Sequence, residues 1–199
     1  MDQDDGHYSA KRRSSTEPIP GLPGKTLDDF WAWAYSDVME NVQRAIYAEF
    51  MVASSLGIAD GVRVGWRSYD LQYGEKRIEV KASAYVQSWR TVKPSKILFG
   101  VGKRLEMDDQ TAAYGGVPAR IADVWVFALF EPQTHPAGDI LDTGLWQFHV
   151  VDTSALEARI GDAKSASLTT IQAFGPFVRL HELKSAIDRA IAADPEPRS

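Results

Sequence analysis

Asp70, Glu79 and Lys81 bring two carboxylates and an amine into one short stretch of this chain, and Glu49 adds a third carboxylate upstream. Carboxylates are oxygen donors suited to hard cations, and an amine beside them can orient a water or offset charge building on a phosphate. An acid two residues before a lysine is weak evidence alone, because a chain of this composition produces about one such pair by chance. Three occur: Asp162 with Lys164 in an expected loop, Glu182 with Lys184 at the start of an expected surface helix, and Glu79 with Lys81 inside an expected strand.

Strand periodicity sends Ile78, Val80 and Ala82 to one face and Glu79, Lys81 and Ser83 to the other. If Gly74 and Glu75 form a two-residue turn, with Gly at the first central position as a type II′ turn prefers, Tyr73 pairs with Lys76 and Asp70 comes opposite Glu79. Directly opposed side chains have Cβ atoms about 4.5–5.5 Å apart, so two carboxylates there repel unless a cation or proton intervenes. A divalent ion would resolve the conflict. Glu49 falls on the helical stripe of Ala45, Ile46 and Ala53 that is expected to face the sheet, where a carboxylate needs a partner. A salt bridge to Arg44 or to a nearby lysine would also satisfy it. An ordinary ion pair on a solvated hairpin face is the plain alternative for Asp70, Glu79 and Lys81.

These residues need a helix and a hairpin to position them. Residues 1–24 hold Pro18, Pro20, Pro23, Gly21 and Gly24 and read as a flexible leader; 25–193 read as a single domain, and 194–199 as a flexible tail. Thr26 with Asp29 forms a capping-box start, followed by Phe30, Trp33 and Ala34 at helical spacing. Apolar spacing through Val42, Ile46, Ala53 and Leu56 ends at Gly57, and Asp37 with Glu40 marks a continuation or a restart. Strands are expected around Val64 and Trp66, over 69–73 and over 77–84, and the first helix is expected on the sheet face that bears the acids. Residues 91–122 read as an irregular excursion with a short strand at 97–101. Val124–Phe130 is a continuous apolar run, the mark of a central strand covered on both faces. A strand at 145–151, a short helix capped by Ser154 with Glu157, and a last helix with Leu183, Ile187 and Ile191 on one face complete the chain.

With 199 residues, 44% of them hydrophobic, the chain suits one buried core rather than two. Its longest apolar run is far short of the twenty or so residues of a membrane span, and its N-terminus lacks a secretory pattern, so the cytoplasm is the expected compartment. The absence of cysteine excludes thiolate metal ligation and leaves oxygen and imidazole donors. A net charge of −5 works against phosphate binding, yet residues 90–104 carry Arg90, Lys93, Lys96, Lys103 and Arg104 with no acid among them. This is either a local basic face or an ordinary solvated surface.

An acid on a helix, then Asp70, then Glu79-Val80-Lys81 on the next strand resembles the PD-(D/E)xK, or restriction-endonuclease-like, nuclease superfamily. The likeness spans about residues 30–191, with segments 44–57, 69–89 and 122–130 similar to small bacterial members; Tyr69 stands where the family's nominal proline would be. The resemblance implies an α/β fold with a restriction-endonuclease-like core, a central mixed β-sheet flanked by helices. It implies Mg²⁺ or Mn²⁺ held by Asp70, Glu79 and the backbone carbonyl of Val80, with Glu49 completing the site. Lys81 would orient the attacking water rather than abstract its proton, because neighbouring carboxylates favour the ammonium form. DNA is the implied partner, with no membrane, and a homodimer is the assembly that would cut two strands.

Around this centre, Gln87 keeps the parity of Lys81 if the strand runs on and would contact substrate or help position Glu49, although a polar strand end accounts for it equally. Trp89 beside Arg90 would stack on a base or sugar, with Lys93 and Lys96 nearby on the backbone, although a tryptophan is also an ordinary core residue. His149 shares parity with Gln147 but has no second histidine at metal-binding spacing, so the histidines receive no role. Three readings follow: an endonuclease that hydrolyses DNA in a restriction, repair or mobile-element setting, a nuclease-fold binding or assembly module without turnover, and a hydrolase of small phosphoesters. Intact acids and lysine favour the first over the second, and the basic run favours it over the third.

Overall fold

The computed structural model describes residues 10–65, 67–89, 93–107 and 114–193. Two helices open the fold, α1 (Leu27–Tyr35) and α2 (Asn41–Leu56). They are separate because Glu40 caps the second, its carboxylate accepting from the Val42 amide at 2.8 Å. Gly57 ends α2 in the left-handed conformation, φ 72°, which a side chain would strain. The capping box is present at α1, where the Thr26 amide donates to Asp29 at 2.9 Å. No residue of α1 is buried, and Trp33 and Phe30 on it are exposed. The preceding segment bonds onto this helix start, Leu27 to the Glu17 carbonyl and Asp28 to that of Ser15, with a bridge between Pro18 and Thr26.

The central sheet is mixed and four-stranded. Its strands are β1 (Leu71–Tyr73), β2 (Lys76–Ala84), β6 (Val124–Phe130) and β7 (Trp146–Asp152), in that spatial order. β2 runs antiparallel to β1 and parallel to β6, and β7 is antiparallel to β6. Every residue of β6 is buried, as its unbroken apolar run predicts, because helices or loops cover both of its faces.

On one face Ile78, Val80, Val126 and Phe148 pack with Ala48 and Val52 of α2 and with Leu183 and Ile187 of α5 (Leu180–Ala193). On the other face Trp125, Phe127 and Leu129 pack with Phe99 of β3 (Leu98–Gly100) and Leu156 of α3 (Thr153–Ile160). Ala166 of β8 (Ser165–Ser167) and Ile171 of α4 (Leu168–Gln172) close that second layer. The molecule is thus mixed α/β, with a central mixed sheet flanked by helices.

This arrangement corrects one expectation. Glu79 and Lys81 lie beside Trp125 and Phe127 in the β2–β6 register, so they point to the second face, whereas α2 covers the first. The apolar side chains of β2 are what draw the amphipathic helix, and they alternate with the acids.

The segment between the parallel strands β2 and β6 holds the short strand expected at 97–101 and, beyond it, a strand pair where an irregular excursion is expected. It carries β3 and an antiparallel pair of β4 (Arg104–Met107) with β5 (Tyr114–Ala119), whose described side chains are exposed. Val64 lies in no strand, and Trp66 falls outside the described residues. The cap of α3 is Asp152, accepting from Ala155 at 2.8 Å, rather than Ser154. Residues 194–199 lie outside the described residues, and among those described no helix is long and apolar enough to cross a membrane.

Candidate active site

The β1–β2 hairpin turns at Gly74 and Glu75, with Gly74 at φ 60°, and pairs Tyr73 with Lys76, Gln72 with Arg77 and Leu71 with Ile78. The paired register ends at Leu71 and Ile78, one residue short of Asp70 and Glu79, and the Asp70 amide donates to the Ile78 carbonyl at 3.1 Å. There β1 stops. The Asp70 carboxylate takes over from the strand backbone, its Oδ2 accepting the Val80 amide at 2.7 Å. Asp70 therefore sits along the sheet edge, between the two faces, and already has a structural task.

Glu79 stands on the second face with 3% of its surface exposed. Its carboxylate pairs with Lys81 Nζ, and Arg104 Nη1 on β4 approaches to 3.7 Å. Lys81 Nζ also lies 5.9 Å from the centre of the Trp125 ring. Burial, and next the charge of Asp70, push the Glu79 carboxyl above its ordinary range against the opposing pull of Lys81 and Arg104.

Glu49 is buried on α2, toward the first face, and its partner is neither Arg44 nor a lysine. Arg63 grips it with two bonds, Nη2 to Oε1 at 2.8 Å and Nε to Oε2. The Glu49 carboxyl is also pushed up, by burial first; the Arg63 hydrogen bond opposes this and the charge of Asp70 adds to it. Asp70 thus acts electrostatically on both glutamates, and Arg63, Lys81 and Arg104 supply the compensating positive charge. The three acids are not gathered into one cage: among the described residues no three histidine, cysteine or acidic side chains stand close enough together to hold a metal ion.

The remaining predicted residues occupy different places. Gln87 is buried beyond the end of β2, donating to the Ala84 carbonyl at 3.0 Å and Ser95 Oγ at 3.1 Å, and accepting from Arg44 at 3.3 Å. It ties the end of β2 to the first turn of α2, one turn before Glu49. Trp89, Lys93 and Lys96 are exposed, and Arg90 lies outside the described residues. Of the rest of the basic run, Lys103 pairs with Asp162 at 2.7 Å and Arg104 reaches Glu79. The Val80 side chain belongs to the core under α2. His149 is buried, with burial holding its pKa below the ordinary histidine range.

Arg63 is the site residue that the sequence did not single out, and Arg104, read there only within the basic run, proves to be a partner of Glu79. Arg63 follows α2 in a loop without periodicity, and Arg104 comes from a distant strand, so no spacing rule links either to an acid. A groove of about 300 Å³ opens between α2 and the segment after it, lined by Glu49, Arg63 and Asp70 among mostly apolar neighbours. Glu79 instead lines a small crevice with Arg104 and Trp125. No family model, curated protein or solved structure matches the chain.

Proposed function

We propose that this chain is a metal-dependent phosphodiesterase that cleaves DNA by attack of water at a phosphate, on a restriction-endonuclease-like core. The observation that carries the reading is the β1–β2 hairpin, at whose end the Asp70 carboxylate, held by the Val80 amide, acts by charge on Glu79, with Lys81 on the same face as Glu79. By donor type the carboxylates suit Mg²⁺ or Mn²⁺. Among the described residues no three acids are gathered into one cluster, so an ion would have to draw them together, and burial with the charge of Asp70 makes Glu79 favour added positive charge. Asp70, Glu79 and the Val80 carbonyl would hold the ion, and Glu49 would join directly or through water after exchanging its bond with Arg63. Bound there, the ion would lower the pKa of a water molecule and polarise a phosphate oxygen.

The chain's own side chains do the rest. Lys81 orients the attacking water and offsets negative charge as it develops on the phosphate. Arg104 shares that neutralisation beside Glu79, and the Val80 amide fixes the Asp70 carboxylate in place. The cytoplasm is the compartment proposed for this activity.

One observation favours a second reading, a nuclease-fold binding or assembly module without turnover. The pairs of Arg63 with Glu49 and Lys81 with Glu79 neutralise the acids without an ion. Cleavage of supercoiled plasmid, linear duplex, single-stranded DNA and RNA with Mg²⁺ or Mn²⁺ separates the two. Wild type is expected to cut, and Asp70→Asn and Lys81→Ala to lose about a hundredfold or more of the rate. Equal cutting by all three proteins would remove these residues from the mechanism, and no cutting by wild type would favour the module.

A further inference from the structure

The groove beside the acids has a composition that hydrolysis of a phosphate alone does not explain. Its walls are largely apolar, with Ile46 and Ala53 from α2 facing Ile58 and Leu71. At its rim Phe50, Val62 and Val64 are 56%, 40% and 42% exposed, so three apolar side chains that line one concavity stay in water. Single exposed apolar residues are ordinary, but a cluster around a concave site marks a place where something apolar binds. The polar groups of the groove include the Glu49–Arg63 pair, with the Arg63 side chain 42% exposed, and Asp70. Gly65 leaves room for the guanidinium: a Cβ there would come within 3.3 Å of Arg63 Nη1. A flat, apolar ring carried next to a phosphate matches this lining. Within a duplex, bases are stacked and paired and present only their edges, so an intact double helix has no ring face to offer.

We propose that this groove takes one unpaired nucleobase of a single-stranded or flapped nucleic acid, stacked on Phe50, with the adjoining phosphate turned toward Arg63. The inference rests on the phosphodiesterase reading for the class of ligand, and it makes the preferred substrate one with unpaired nucleotides beside the scissile bond. Phe50 is a binding residue in this scheme. Its exposure means that replacing it leaves the core intact.

The test is fluorescence anisotropy in EDTA, where binding is read without cleavage, using the full chain with Phe50→Ala and Phe50→Trp variants. The probes are a labelled oligothymidylate of about ten nucleotides and a blunt duplex, with inorganic polyphosphate as a base-free competitor. Wild type is expected to bind the single strand about tenfold tighter than the duplex. Phe50→Ala should lose most of that preference and Phe50→Trp should keep it, since stacking contributes about 1–3 kcal/mol per base. Unchanged binding by Phe50→Ala, or displacement by polyphosphate as effective as by oligothymidylate, would overturn the proposal. Phe50-dependent binding without metal-dependent cutting would leave the groove standing and remove the hydrolase; cutting that ignores Phe50 would do the reverse.

Discussion

A glutamate with almost no exposed surface is ordinarily neutralised by a proton, a cation or both, and Glu79 lies between these solutions. Its carboxyl is raised by burial and by Asp70, so the folded chain holds the Glu79 proton more tightly than the unfolded chain does. That contribution to stability is complete below the ordinary glutamate range and is lost as pH rises through the elevated folded value. Glu79→Gln cannot ionise and so cannot lose it. Urea denaturation should find the variant gaining on wild type between acid pH and about pH 8, by on the order of 1 kcal/mol, with little difference in acid. A gap that stays constant with pH would mean that Lys81 and Arg104 fully compensate the charge. Glu49 follows the same sign, with Arg63 as its compensating group.

At the scale of the element, the point where β1 ends decides what Asp70 does. Its carboxylate substitutes for the next strand carbonyl and satisfies the Val80 amide, so β2 continues to Ala84 while β1 is only three residues long. A structural and a catalytic task therefore coincide in one side chain, and two substitutions separate them. Asp70→Ala leaves the Val80 amide without its acceptor and is expected to cost about 1–3 kcal/mol in urea denaturation. Asp70→Asn retains an oxygen acceptor, so its stability should stay within about 1 kcal/mol of wild type while calorimetric titration shows divalent-ion binding lost. Equal destabilisation by both would make the negative charge itself the structural requirement. The hairpin was legible because a glycine turn and strict alternation fix its register. The β4–β5 pair was not, because Gly115, Gly116 and Pro118 interrupt a segment with no buried face.

Over the whole molecule, three acids reach one neighbourhood from different layers: Glu49 from the helical face, Asp70 from the sheet edge and Glu79 from the opposite face. Of their positive partners, Lys81 comes from β2 itself, and Arg63 and Arg104 come from two further places, the loop after α2 and the β4 strand. An ion bound by the folded arrangement and not by the unfolded chain must stabilise the fold by mass action, about 2.7 kcal/mol at a hundred times its Kd. Mg²⁺ or Mn²⁺ is accordingly expected to raise the melting temperature of wild type near pH 8, with EDTA reversing the rise and Asp70→Asn abolishing it. The rise should shrink in acid, where protons compete for Glu49 and Glu79. A melting temperature indifferent to both ions would remove the metal from the proposed mechanism.

The sequence by itself determined the parts that depend on local periodicity and local chemistry. These are the glycine turn that pairs Tyr73 with Lys76, the central position of Val124–Phe130 and the end of α2 at Gly57. Only the tertiary structure decided which face α2 covers, that Arg63 rather than Arg44 holds Glu49, and that Gln87 bonds to Arg44 and Ser95. The reason is physical. Turn geometry and alternation act over a few residues, whereas the partner of a buried charge is whichever group the closed core brings within reach, regardless of its distance along the chain.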